Sequence, residues 1–306
     1  MRIYRDLTIG EGKSSVALGN FDGLHAGHRK VVSLCLEGAA RGLIPTVLTF
    51  MYERGGNAGE EILPSDRKIE LLEQLGVRQL YLLDFAAIRD FSPEKFVDDI
   101  LIGVCRAEEA CCGFNFTFGC GGTAGSAELS ALLAQRGRKA RVAGAVLAGG
   151  APVSSTRIRG LICEGRVDEA AALLGRPFSF CSPVLHGRRL GRRLGTPTAN
   201  QAVPERSVKP RFGVYVSRVR LADGTEWAGV TNVGVKPTVG SDRILAETWM
   251  PLYRGPELYG KTVRTDLLKF LRPERRFGSV AELRAQILKD GEAASAFSGE
   301  NLPESG

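Results

Sequence analysis

Residues 186–200 read His-Gly-Arg-Arg-Leu-Gly-Arg-Arg-Leu-Gly-Thr-Pro-Thr-Ala-Asn, with Gly187, Gly191 and Gly195 spaced four apart and an arginine pair in each interval. Glycine lets the main chain approach a ligand closely, and backbone N–H groups with guanidinium groups suit phosphate oxygens. Thr198 and Asn200 are two apart, so in an extended segment their oxygens point the same way. Two neutral oxygens beside a phosphate site are candidate ligands for Mg²⁺, which takes few protein oxygens and shares the rest with phosphate. The same spacing also describes a turn-rich basic hairpin. Glu247, in the otherwise apolar stretch Leu245-Ala246-Glu247-Thr248-Trp249, is either an outward-facing strand residue or a general base beside Thr198 and Asn200.

A second cluster is Gly19-Asn20-Phe21-Asp22-Gly23-Leu24-His25-Ala26-Gly27-His28, which holds two of the three histidines. It follows a strand-like run and opens a helix, and a helix N-terminus attracts anions. Gly19, Phe21, Asp22, His25, Gly27 and His28 thus form a candidate phosphate cradle, and His-x-Gly-His in this setting resembles the nucleotidyltransferase superfamily. Ser154-Ser155-Thr156-Arg157 opens another helix with hydroxyls and a guanidinium. Two anion sites at opposite ends of one α/β domain suit adenylyl transfer: one holds a triphosphate and the other stabilises departing pyrophosphate. Gly255–Thr262 matches the Walker A pattern in letters only. Pro256 lacks an N–H, and the residues after Thr262 alternate like a strand where a P-loop requires a helix.

These groups need a scaffold. Strand-like runs at 15–21, 46–50, 79–83, 110–112 and 141–147 alternate with helical stretches from 26 to about 40, from Ser65, from Ser92-Pro93 and from Ser154. That alternation implies a parallel, doubly wound, Rossmann-like α/β domain. Val167–Leu174 ends at Gly175, and the texture then changes to short strands at 213–219, 226–233, 244–249 and 262–268 separated by turns. They predict an antiparallel barrel. Ser279-Val280-Ala281-Glu282 opens a final helix to about Lys289, and the tail from Gly291 is expected to fray. The expected domains are 1–174 and 175–306.

The net charge of +7 favours polyanionic partners such as nucleotides. There is no helix-turn-helix or aromatic-basic signature, so nucleic acid is not expected as a partner. No apolar run reaches membrane-spanning length, and the first residues carry no export-signal core. Seven scattered cysteines without a Cys-x-x-Cys pair fit reduced thiols in a cytoplasm. Nothing in the sequence sets an oligomeric state.

Taken in order, Gly19–His28, Ser154–Arg159, Gly195–Asn200 and the block from Gly229 to Asp290 resemble the prokaryotic bifunctional riboflavin kinase/FAD synthetase family. The resemblance implies that the first domain adenylates FMN to FAD with ATP. His25 and His28 would hold ATP phosphates, Asn115 would lie near the flavin, and Ser154, Ser155 and Arg157 would act on the phosphate chain. It implies a riboflavin kinase barrel in which Thr198 and Asn200 bind Mg²⁺ and Glu247 activates the ribityl hydroxyl. One departure stands out. After Thr49-Phe50 the family usually places one residue and then Pro-His-Pro, whereas this chain reads Met51-Tyr52-Glu53-Arg54, with Glu53 at the histidine position. This leaves open a riboflavin kinase with a weakened adenylyltransferase. A carboxylate near a triphosphate repels it by roughly 1 kcal/mol in water and more in a drier cleft. FMN is therefore expected to accumulate before FAD in a riboflavin-plus-ATP time course followed by chromatography, and Tyr52→Pro with Glu53→His and Arg54→Pro is expected to raise FAD output. Faster conversion of FMN than its formation in the parent would refute the repulsion.

Overall fold

The computed structural model describes residues 1–51, 60–186, 195–238 and 241–301, with the backbone alone at 236–238, 241–242 and 298–301. The chain divides into two compact units, Met1–Ser155 and Thr156–Gly306. The expected boundary lies at Gly175, where a helix closes in the left-handed conformation at φ 68°.

In the first unit the strands are β1 (Arg2–Tyr4), β2 (Ser14–Leu18), β3 (Ile44–Met51), β4 (Gln79–Asp84), β5 (Ala107–Gly113), the short pair β6 (Thr117–Phe118) and β7 (Ala124–Gly125), β8 (Lys139–Ala143), and the short pair β9 (Leu147–Ala148) and β10 (Ala151–Pro152). The six-stranded sheet runs β1-β4-β3-β2-β5-β8, and every pairing in it is parallel. Its helices are α1 (Ala26–Leu36), α2 (Ser65–Gln74), α3 (Pro93–Lys95, continuing as π-helical turns over Phe96–Val104) and α4 (Ser126–Gln135). Alternation along β2 explains the layering. Val16 and Leu18 pack with Phe96, Ile100 and Leu133 on one face, whereas Ala17 packs with Val31, Val32 and Leu72 on the other. The result is the doubly wound sheet expected. β1 was not anticipated, since three residues carry too little periodicity to register.

Several local expectations change. Ser65 is the first residue of α2 and Pro64 occupies the cap, with no side-chain bond. Ser92 does cap α3, accepting from Lys95 N at 3.2 Å with Pro93 at the first helical position. Leu147 leaves the fifth long strand for the β9–β10 hairpin.

The second unit begins within α5 (Ser155–Cys163), continues through α6 (Val167–Leu174), and closes a barrel from β11 (Phe178–Leu185), β12 (Thr198–Ala202), β13 (Gly213–Arg220), β14 (Glu226–Thr238), β15 (Ser241–Trp249) and β16 (Thr262–Arg272). The order is β11-β12-β15-β14-β13-β16 and then back to β11, antiparallel throughout. Closure removes every exposed edge.

Helix α7 (Val280–Asn301) opens with Ser279 accepting from Glu282 N at 3.2 Å, and the Glu282 carboxylate accepts from Gly278 N at 3.0 Å. The tail does not fray at Gly291. The helix continues because Ala294, fully buried, joins a cluster with Val214, Val216, Val230 and Phe297. Gly291 lies against Trp249, where an added Cβ would come to 2.5 Å from the ring. Two effects then oppose each other in Gly291→Ala. Helix propensity favours alanine by about 1 kcal/mol, whereas overpacking costs about 1–3 kcal/mol. Gly291→Ala is expected to lower the denaturation midpoint of the barrel unit; a raised midpoint would mean that this turn is not docked.

Candidate functional site

In open α/β sheets, ligands bind at the carboxyl ends of parallel strands where the winding reverses. Here β2 has β3 on one side and β5 on the other, so the reversal lies at its carboxyl end. The residues that follow β2 are Gly19–His28, and those that follow β5 are Phe114 and Asn115. The loop after β2 is strained: Phe21 has φ 49° and Leu24 φ 42°, both left-handed without being glycine. Its surroundings fix it. The carbonyl of Asn20 accepts from Thr49 Oγ1 and from Lys68 Nζ, each at 2.9 Å. The Asp22 carboxylate accepts from Ile62 N at 3.0 Å and Leu63 N at 3.2 Å, so it is committed to the main chain. Phe21 is likewise a core side chain, fully buried, with its ring edge-on to His28 at 5.4 Å.

His25 caps α1: its Nδ1 accepts from His28 N at 3.3 Å, which fixes the tautomer. The two imidazoles stack at 3.7 Å. Burial, then His25 and Lys68, hold the His28 imidazole well below its ordinary pKa, so it is neutral near pH 7. Its Nδ1 is buried and has no partner among the described residues. At Gly27 an added Cβ would stand 3.2 Å from the His25 ring, a tight contact that would press on the imidazole, and at ordinary contact distance, 3.6 Å, from the Val153 carbonyl.

The second anion motif is not at the opposite end in space. Ser155 Oγ donates to the Asp22 carbonyl at 2.9 Å, so the loop after β2 and the start of α5 meet. Ser154 is half-buried, Thr156 is exposed, and Arg157, the next residue of α5, is half-buried. Asn115 is exposed beside Phe114, itself half exposed, and Phe85 after β4 is exposed with its ring edge-on to Phe50 at 5.2 Å. Aromatic faces thus stand near the same strand ends.

Lys68 is the residue that the sequence reading missed. It is 6% exposed on α2, and burial lowers its pKa while Asp22 and Glu61 act the other way. The available signal was its place four residues before Leu72, on the buried face of the helix. Tyr52, Glu53 and Arg54 lie outside the described residues, as do Gly187, Gly191 and the arginine pairs between them.

In the barrel, Thr198 and Asn200 line a cleft of about 350 Å³ together with Pro197, Tyr253, Gly255 and Tyr259. The Walker-like stretch therefore lines the cleft, and β16 rather than a helix follows it. Gly195, at φ 76°, turns the chain into β12. Glu247 sits in the adjacent strand, directly opposite Asn200, and Asn232 of β14 is opposite Glu247 on its other side. Cross-strand neighbours of this kind have Cβ atoms about 4.5–5.5 Å apart. Thr231 and Thr248 are fully buried, so their chain neighbours Asn232 and Glu247 project from the outer face of the barrel. Asn200 Nδ2 makes a long contact of 3.5 Å to the Thr198 carbonyl, which turns its Oδ1 elsewhere. Among the described residues no cluster of three His, Cys, Asp or Glu could form an all-protein metal cage. A cation at Thr198 and Asn200 would thus share its shell with phosphate or water.

A helix start bearing two histidines at the reversal point of a parallel sheet, and a barrel cleft lined by neutral oxygens, are the features expected of an ATP-dependent transferase of phosphoryl and nucleotidyl groups. Residues 9–157 match the FAD synthetase family model and residues 174–298 the riboflavin kinase model. A bifunctional riboflavin kinase/FMN adenylyltransferase of Bacillus subtilis is 33% identical over 94% of this chain and 93% of its own. One from Pseudomonas fluorescens is 34% identical over 92% of this chain and 91% of its own. A solved Streptococcus pneumoniae structure, described as a macrolide-efflux protein, superposes with TM-score 0.87 at 28% identity and covers 96% of this chain and 99% of its own. No helix among the described residues is long and apolar enough to cross a membrane. The chain belongs to the bifunctional riboflavin kinase/FMN adenylyltransferase family.

The depressed His28 links stability to pH. Between the ordinary imidazole pKa of 6.5 and its lower folded value, the unfolded chain binds a proton and the folded chain does not. Stability contributed by neutral His28 is present above that window and falls as pH drops through it. The unfolding free energy of the parent is expected to decline more steeply from pH 7 to 5 than that of His28→Gln; parallel slopes in urea titrations would contradict the burial of a neutral imidazole.

Proposed function

We propose that the barrel unit phosphorylates riboflavin to FMN and that the α/β unit joins FMN to the adenylyl group of ATP, giving FAD and pyrophosphate. The observation that carries the kinase assignment is the register that sets Glu247 directly beside Asn200, on the strand next to the Thr198-lined cleft. Glu247 takes the proton of the terminal ribityl hydroxyl as that oxygen attacks the γ-phosphorus of ATP; the bond to ADP breaks and ADP leaves. Phosphoryl transfer of this kind is chiefly positioning and charge neutralisation. Thr198 and Asn200 offer hard neutral oxygens in a cleft roomy enough for a phosphate chain, which fits Mg²⁺. Bound there, the ion supplies positive charge against the phosphate oxygens. Gly187, Gly191 and Gly195 with the intervening arginines are assigned to the same phosphates.

In the α/β unit, the N–H groups at the start of α1 and the imidazoles of His25 and His28 receive the triphosphate of ATP. The FMN phosphate attacks the α-phosphorus, and pyrophosphate departs toward Ser154, Ser155, Thr156 and Arg157. Ser155 is held on the Asp22 carbonyl, which supports placing its hydroxyl beside the loop that binds triphosphate. Asn115 and the exposed rings of Phe114 and Phe85 are assigned to the flavin. Neither reaction needs a covalent protein intermediate. Seven cysteines without a disulfide suit a reducing cytoplasm.

The two activities separate by substitution. Asn200→Ala and Glu247→Gln are each expected to cut FMN formation from riboflavin by at least about a hundredfold, the scale of removing a general base, while leaving FAD formation from supplied FMN intact. His28→Ala is expected to do the reverse. Chromatographic quantitation of FMN and FAD checks both, and loss of both activities in a folded single variant would refute separate sites.

A further inference from the structure

The row on the outer face of the barrel does not end at Glu247. Asn232 continues it, and its side chain is held in one orientation. Its Nδ2 donates to Glu274 Oε1 at 2.9 Å. Only the amide NH₂ can donate to a carboxylate, so Oδ1 must face the other way. That oxygen is buried and accepts no hydrogen bond among the described residues.

The arrangement depends on a missing side chain. Gly234 lies two residues farther along β14, on the same face as Asn232, and an added Cβ there would collide with the Glu274 carboxylate. The φ of Gly234 is not in the left-handed region, so nothing in the backbone calls for glycine. The space is what Glu274 requires to lie over the strand and reach Asn232.

A buried acceptor without a donor is unfavourable unless a ligand supplies one. Beside Glu247 and Asn200, the Asn232 oxygen extends a line of acceptors across β12, β15 and β14. Such a line is complementary to a polyol, which presents several O–H donors in sequence. Resting on the kinase reading of this site, we propose that Asn232 is a substrate-binding residue. Its Oδ1, oriented by Glu274 in the space left by Gly234, accepts a hydrogen bond from one inner ribityl hydroxyl while Glu247 faces the reacting one.

The test pairs side chain with hydroxyl. Kinase kcat/KM is measured on the full chain with riboflavin and with riboflavins each lacking one inner ribityl hydroxyl, for the parent, Asn232→Ala and Gly234→Ala. One hydrogen bond corresponds to about tenfold. The parent is expected to lose about tenfold on one particular analogue. Asn232→Ala is expected to lose about tenfold on riboflavin and to show no further loss on that same analogue. Gly234→Ala, by displacing Glu274, is expected to give a smaller loss that vanishes on the same analogue. An equal loss on every substrate would overturn the proposal. If Asn232→Ala fails to fold by circular dichroism, Gly234→Ala and the surface change Glu274→Gln decide the question by the same criterion. Glu247→Gln separates the two levels: retained turnover there refutes the kinase site itself, whereas lost turnover with uniform effects at Asn232 refutes only the role given to Asn232.

Discussion

The proposed kinase site depends on the register of three antiparallel strands. Side chains alternate across a strand, so a slip of one residue would turn Asn200, Glu247 and Asn232 into the barrel and their neighbours out. The interior resists that slip because it is polar and paired. Thr231 Oγ1 donates to Ser217 Oγ at 2.7 Å, and the Thr231 and Thr248 hydroxyls are 2.8 Å apart. Thr265 Oγ1 donates to Gln201 Oε1 at 2.6 Å, and Gln201 Nε2 donates to the carbonyls of Ser182 and Val263 at 3.0 and 2.9 Å. Each buried hydroxyl left unpaired costs about 1–3 kcal/mol, and a slip would unpair several together. The inner network thereby sets the outer row.

The α/β unit meets a different requirement. Its candidate phosphate site is made largely of main chain, so the loop conformation itself must be fixed. Two non-glycine residues at positive φ are unfavourable by about 1–3 kcal/mol each, and the loop holds them through contacts from three directions. Thr49 and Lys68 grip the carbonyl of Asn20, Asp22 holds the main chain ahead of α2, and the Ser155 hydroxyl holds the Asp22 carbonyl. Side chains that look like ligands in the sequence are in part the clamps of the loop. Asp22 and Phe21 have this role, and buried Lys68 joins them.

The outer face of the barrel also shows why α7 matters. The helix covers β13 and β14 through Ala294 and Phe297, and Gly291 admits the Trp249 ring. Trp249 is two residues from Glu247 on the same face of β15, so the helix packs beside the residues assigned to catalysis. The loop before it carries Glu274, which reaches Asn232.

Much of this was legible in the sequence. Alternating apolar periods fixed the parallel sheet, the change in texture after Gly175 fixed the barrel, and glycine, histidine and hydroxyl spacing picked out Gly19–His28, Ser154–Arg157 and Thr198–Asn200, because each of those signals is local. Tertiary structure decided the rest. Ser155 meets Asp22 across 133 residues, and Asn200, Glu247 and Asn232 come from three strands that no spacing rule links. Nothing local marked Lys68 for the site until the fold buried it beside the Asn20 carbonyl, and the tail after Gly291 was expected to fray until Trp249 and Val230 gave it a surface. A sequence states what a residue can do within one turn or one strand; which residues act together is set by register and burial, which exist only once the chain has folded.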